Sequence, residues 1–210
     1  MELTTLFAEY NNRERREIMK QNKVPVGLSN RHLHVTREHL DILFGPGHQL
    51  TEYKVLSQPG QYACEEKVDI VGPKRTIKGV RILGPVRKET QVELSVSDGY
   101  ALGINPPVRD SGDLEGTPGV KLVGPKGEVD LEYGVIVAAR HIHMHPDDAK
   151  VFGVEDFQRV KVKVEGMRGL IFENVLIRVS PSYALDMHID VEEGNAAGIG
   201  NGAMVEVITD

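Results

Sequence analysis

The chain has 210 residues, enough for one large domain or for two of roughly 100 residues that each bury a core. It carries 25 Lys and Arg against 31 Asp and Glu, a net charge of −6, with the cations dispersed and few aromatic residues, which excludes the basic, base-stacking surface of a nucleic-acid binder. No apolar run approaches the roughly 20 residues of a membrane helix, and the single cysteine, Cys64, forms no internal disulfide, as expected of a soluble protein in a reducing cytoplasm.

In chain order, residues 1–22 are expected to form an N-terminal helix, with Leu3, Leu6, Phe7, Tyr10, Ile18 and Met19 partly on one face and the charged "NRERRE" opposite. The early acidic residues and the lack of an apolar core argue against a secretory signal. From Val24 the pattern changes to short Val/Ile-rich runs cut by Gly and Pro: "VPVGLS", "KVDIVGP", "IKGVRILGP", "TQVELSVSDG", "VKLVGPKG", "EYGVIVAARHIHM", "VKVKVEG", "LIFENVLIRVS" and "AMVEVIT". Many short strands with regular turn signals predict a mainly β fold, a barrel or sandwich, with few helices. Two helices are readable, "TREHLDILFG" and "HPDDAKVFG", each with acidic residues in its first turn and a glycine to stop it.

Each of these helices follows the same short phrase, an arginine and two histidines separated by one residue. Arg31, His32 and His34 superpose on Arg140, His141 and His143 at an offset of 109, and "ELSVSDGYALG" superposes on "HIDVEEGNAAG" at an offset of 95, which puts Glu93 opposite His188. The chain therefore reads as two diverged copies of one β-rich unit. The join is expected in "NPPVRDSGDLEGTPG", dividing the chain into residues 23–115 and 116–210.

Residues two apart on a strand point the same way, so His32 with His34, and His141 with His143, are each placed to share one metal ion. Imidazoles with a carboxylate and no cysteine suit zinc and also permit iron, cobalt or nickel. The repeat alone groups Glu93 with His32 and His34, and His188 with His141 and His143. His39 within its helix and His145 at its cap are expected to be structural, His48 beside "GPG" a solvated loop residue, and Cys64 a buried structural thiol. A cupin-like reading competes, because His32, His34, Glu38 and Gly45 match H-x-H-x3-E-x6-G. It requires Glu38 on a strand and a Pro-x-Gly turn before the last histidine, and "VSPSYALDMHID" has no such turn.

"VPVGLSNRHLHVTREHLDILFG", "LSQPGQYACEEKVDIVGPK", "VRILGPVRKETQVELSVSD", "NPPVRDSGDLEGTPG" and "ARHIHMHPDDA" together resemble the phosphate propanoyltransferase family, the propanediol-utilisation type of phosphotransacylase, over residues 24–208. The resemblance implies two similar small β-barrels flanked by helices, with a two-zinc site between them. It implies exchange of CoA for inorganic phosphate on short acyl groups such as propanoyl and acetyl, giving acyl phosphate and CoA. Carried over residue by residue, His32 and His34 hold one zinc, while Glu93, His141, His143 and His188 hold the other, so the resemblance and the repeat differ over Glu93. Arg87 matches the catalytic phosphate-site arginine, and Ser29, Lys54, Arg81, Arg178 and Asn195 match CoA or phosphate contacts. Some members lie in bacterial microcompartments by way of an amphipathic N-terminal helix, which residues 3–20 would suit, and the pattern is compatible with a homo-oligomer.

Arginine presents a planar fork that can orient a phosphate oxygen toward a thioester carbonyl. Direct attack in a ternary complex is therefore expected, with an acyl-Cys64 intermediate as the formal alternative. A zinc-dependent acyl-CoA thioesterase, or a non-catalytic metal-binding barrel, would use the same histidines without Arg87.

Overall fold

The computed structural model describes residues 22–209, so the expected helix at residues 1–22 lies essentially outside the described part. The described chain is mainly β, with fifteen strands and four short helices. It divides into two compact units, residues 29–139 and a second formed by residues up to 28 together with 140–210.

The first unit is an open, curled sheet. Its strands are β2 (His32–His34), β3 (Glu52–Val55), β4 (Tyr62–Val71), β5 (Thr76–Gly84), β6 (Gln91–Glu93), β7 (Val108–Arg109), β8 (Lys121–Val123), β9 (Glu128–Asp130) and β10 (Val135–Ala138). Their order is β7-β10-β6-β2-β5-β4-β8-β9, with β3 on β4. The second unit is a closed six-stranded barrel of β1 (Lys23–Ser29), β11 (His141–Met144), β12 (Arg159–Val164), β13 (Leu170–Val179), β14 (Asp186–Asp190) and β15 (Met204–Ile208), in the order β1-β14-β11-β13-β12-β15. Each unit has its own apolar core, centred on Leu33, Ile70, Ile82 and Leu122 in the sheet and on Ile142, Met144, Ile177 and Met187 in the barrel. All eight side chains are fully buried.

The division differs from the expected boundary near residue 115. Strands β8, β9 and β10 belong to the first unit, and β1 belongs to the barrel of the second. Each unit is thus completed by the strand that leads into the other unit's His-x-His pair. "EYGVIVAARHIHM", read as one run, is two strands that part at Ala139 and Arg140. The exchange is invisible to a local pattern, because a strand's partners depend on contacts far along the chain.

Four helices follow: α1 (Arg37–Phe44), α2 (Val96–Leu102), α3 (Pro146–Phe152) and α4 (Val191–Ala197). The expected α1 and α3 are present. Helix α2 corrects the reading of "TQVELSVSDG" as a strand, and α4 was not read from sequence at all. Both open with a capping box, Ser95 with Asp98 and Asp190 with Glu193, which satisfies the first backbone N–H groups and stops the strand. Two "VGPK" turns finish the packing of the sheet unit. Glycine is required in both, because a Cβ on Gly72 would lie 2.4 Å from the Leu102 carbonyl oxygen and one on Gly124 2.5 Å from that of Leu43. The following Lys74 and Lys126 amides donate to these same carbonyls at the ends of α2 and α1.

His48 is not a solvated loop residue. Its Nε2 lies 2.8 Å from Oε1 of the buried Glu66, and its ring stacks on Phe44. Glu66 also accepts from the Thr51 amide, so the pair ties the loop after α1 to β4.

Candidate metal centres

In the sheet unit, β2 runs antiparallel to β6 in the register His32↔Glu93, Leu33↔Val92, His34↔Gln91. Strand alternation sends Leu33 into the core and turns His32 and His34 to the other face, beside Glu93. One ligand atom from each of His32, His34 and Glu93 lies within 4.8 Å of the others. His32 Nε2 is 3.4 Å from Glu93 Oε2. The carbonyl oxygens of Asn30 and Leu83 accept from Nδ1 of His32 and His34, at 2.8 and 3.1 Å. A carbonyl cannot donate, so each Nδ1 carries the proton and each Nε2 keeps its lone pair for the cluster.

The barrel repeats the arrangement. Strand β11 pairs antiparallel with β14 in the register His141↔His188, His143↔Asp186, while Ile142 fills the core. Ligand nitrogens of His141, His143 and His188 again lie within 4.8 Å of one another. His141 and His143 bring their Nε2 atoms to 3.0 Å, and the buried Nδ1 of His143 has no hydrogen-bond partner.

Burial and neighbouring cationic groups keep one histidine of each pair from taking up a proton. Burial, then the charges of His32 and Arg87, lowers His34 to about 3. Burial, then His141, His188 and Arg178, holds His143 far below the ordinary imidazole range. Burial also opposes a charge on His32, but the charge and hydrogen bond of Glu93 outweigh it and its pKa is raised. Converging imidazole lone pairs, with His34 and His143 held neutral, suit a divalent cation, and the two donor sets, three nitrogens and two nitrogens with a carboxylate, both fit zinc.

The grouping of Glu93 corrects the set implied by the family resemblance. That resemblance put Glu93 with His141, His143 and His188, whereas the β2–β6 register places it across from His32, where the repeat alone had it. The cupin-like set fails too, since Glu38 sits exposed on α1. His39 and His145 make local contacts: Nδ1 of His39 is 2.7 Å from Thr90 Oγ1, and His145 caps α3 by accepting from the Asp147 amide. Cys64 is buried and its thiol is raised to about 11 by burial and by Glu66, which disfavours the thiolate that an acyl-cysteine would need.

The remaining expected residues divide by unit. Arg87 donates its amide to the Val35 carbonyl, one residue beyond His34, and its charge acts on both His32 and His34. Arg81 lies opposite His32 on β5, with its guanidinium 4.3 Å from the Tyr53 ring centroid and a donor on the Cys64 carbonyl. Ser29 Oγ is 3.4 Å from His32 Nδ1. Arg178 lies opposite His143 on β13. Lys54 is exposed on β3 and Asn195 is exposed on α4.

Two supporting residues were missed. Gln91 is buried and donates 2.5 Å to Glu93 Oε1 and 2.8 Å to Ser111 Oγ, while its own oxygen accepts from the Gly112 amide at 2.8 Å. Asp186 is buried with Oδ2 3.1 Å from His188 Nε2. Both stand two residues before a ligand on the same strand face, and the offset of 95 aligns them. The donor suits the partner in each case, an amide N–H for a carboxylate and a carboxylate for an imidazole N–H.

Comparison with known proteins gives one family. The family model described as phosphate propanoyltransferase matches residues 25–200. A phosphate propanoyltransferase of Thermotoga maritima is 57% identical over 192 residues, covering 91% of each chain. One from Listeria monocytogenes is 52% identical over 193 residues, covering 92% of this chain and 91% of the relative. One from Salmonella typhimurium is 54% identical over 184 residues, covering 87% of each.

Proposed function

Because the chain belongs to the phosphate propanoyltransferase family, we propose that it is a phosphotransacylase that uses two bound zinc ions to interconvert acyl-CoA plus phosphate and acyl phosphate plus CoA. His32, His34 and Glu93 would hold one ion, and His141, His143 and His188 the other. The observation that carries the reading is the shared register of the two units, in which a cross-strand pair, His32↔Glu93 or His141↔His188, brings the third ligand to each His-x-His pair. Three protein ligands leave a position for substrate in each set.

A zinc ion so held supplies Lewis acidity to a thioester carbonyl or to a departing thiolate. The chain's own groups do the rest. Phosphate is a weak nucleophile, so its placement against the carbonyl carbon accounts for much of the rate. Arg87, anchored beside His34 through its amide, holds phosphate by its planar fork and turns one oxygen toward that carbon. The new C–O bond forms as the C–S bond breaks, and the electron pair leaves with the CoA sulfur. Propanoyl and acetyl are the expected acyl groups. Arg81, Arg178, Ser29, Lys54 and Asn195 are proposed to hold the phosphates of CoA or the phosphate substrate. With no reactive Ser-His or Cys-His pair called on, phosphate attacks directly.

Thiol release from propanoyl-CoA, measured with and without inorganic phosphate on the zinc-loaded chain, tests the proposal. Release is expected only with phosphate. Equal release without it would make the protein a thioesterase, and no release in either case would leave a binding protein.

A further inference from the structure

We propose that the arginine preceding each His-x-His pair, Arg31 in the sheet and Arg140 in the barrel, is a positioning residue that locks the third metal ligand of its unit to the first. The inference rests on the metal-binding reading above and extends it to residues that touch no ligand atom.

Arg31 Nε donates 2.8 Å to Asp98 Oδ2, and Arg140 Nη1 donates 2.7 Å to Glu193 Oε1. The two acids are equivalent in the repeat, at the offset of 95, and have the same local role. Asp98 closes the capping box of α2 by accepting from the Ser95 amide, while Glu193 closes that of α4 by accepting from the Asp190 amide. Each N-cap lies two residues after the third ligand, Ser95 after Glu93 and Asp190 after His188. A short covalent path therefore runs from each third ligand to the acid, across the ion pair to the arginine, and on to the adjacent first histidine.

Position in the sheet explains why such a tie is needed. His32 and Glu93 face each other at the last recorded rung between β2 and β6. Beyond this rung β6 is held only along its other edge, by β10, where the Leu94 amide donates to the Ile136 carbonyl. His141 and His188 likewise face each other at the terminal rung of their pair. Strand ends fray, and fraying here would separate the two ligands that each site needs together. The ion pair ties the residue just before each first histidine to the helix that follows the third ligand.

An exposed ion pair alone contributes little. These two are not of that kind on the acid side, since the Asp98 side chain is 9% exposed and that of Glu193 22%. Arg140 is held a second time, by its Nε on the Glu173 carbonyl at 2.9 Å. Outer partners that orient metal ligands typically change metal affinity by 10- to 100-fold when removed.

The test is titration of the metal-stripped full chain with zinc against a chromophoric chelator, for wild type, Arg31→Ala, Arg140→Ala and the exchanged pair Arg31→Asp with Asp98→Arg. Wild type should show two tight sites. Arg31→Ala should weaken one site by at least about tenfold and spare the other, Arg140→Ala should do the converse, and the exchanged pair should recover part of the loss. Melting of the metal-free chain should fall modestly in each variant while the site of the other unit keeps its wild-type affinity, which separates positioning from a purely structural role. Asp98→Asn, which keeps an oxygen for the capping box, serves if an alanine variant fails to fold. Two wild-type sites that are unchanged in both alanine variants would overturn the brace alone, as would loss of both sites together with metal-free stability. A wild-type chain that takes up no zinc would overturn the metal reading and the brace with it.

Discussion

Replacing His143 by alanine is expected to lower the rate of phosphate-dependent thiol release by about a thousandfold while the barrel stays folded. The three rings of the set converge, with centroids 4.6 Å (His141–His143), 4.9 Å (His143–His188) and 5.2 Å (His141–His188) apart, so the loss of His143 removes one of three donors. Electrostatic assistance by a bound metal to a developing charge is worth several kcal/mol, and about 4 kcal/mol corresponds to three decades of rate at about 1.36 kcal/mol each. The fold should survive, because the neighbouring Ile142 and Met144 form the core side of β11 and His143 contributes only to the opposite face. Steady-state kinetics with circular dichroism on the same preparation checks both halves. Wild-type turnover in a folded His143→Ala chain would remove this cluster from the reaction.

Arg87→Ala is expected to lower kcat/KM for phosphate by roughly ten- to a hundredfold, the equivalent of about 1.5 to 3 kcal/mol for a lost charge-assisted contact. Arg87→Lys keeps the charge but not the planar fork, so it should lie between alanine and wild type, chiefly through a raised KM for phosphate. Affinity for CoA should hold. The measurement is phosphate-dependent kinetics in the acyl-phosphate-forming direction, with metal content measured on the same samples. Unchanged phosphate kinetics would sink the assignment. Loss of zinc in parallel would show that Arg87, whose charge acts on His32 and His34, supports the metal set and not the substrate.

Much of this site was legible in the sequence because a strand's period of two is strict and the duplication shows it twice. Two histidines one residue apart must share a face, and the offset of 95 found Glu93 and His188 before any strand pairing was known. The same alignment assigned Glu93 to His32 and His34, as the β2–β6 register does, while the family resemblance alone assigned it elsewhere. Gln91 and Asp186 were within reach of the same reasoning, being two residues ahead of a ligand, but a glutamine does not announce a metal site and Asp186 is one of 31 acidic residues. What the sequence concealed was long-range pairing. Nothing local shows that β1 closes the barrel or that β10 belongs to the sheet. Helices α2 and α4 were hidden for a different reason: each is only seven residues long and carries an internal glycine, so the helical period never establishes itself, and the local signals are confined to the ends, a capping box at the start and a C-cap glycine, Gly103 or Gly198, at the stop.

The account stands most directly on one metal ion for each repeat, and elemental analysis of the purified chain and its one-cluster variants measures that. Wild type should hold two zinc ions per chain, His34→Ala and His143→Ala one each, and the double variant none. A single ion in wild type, or the loss of both ions from either single variant, would contradict two separate three-ligand sets.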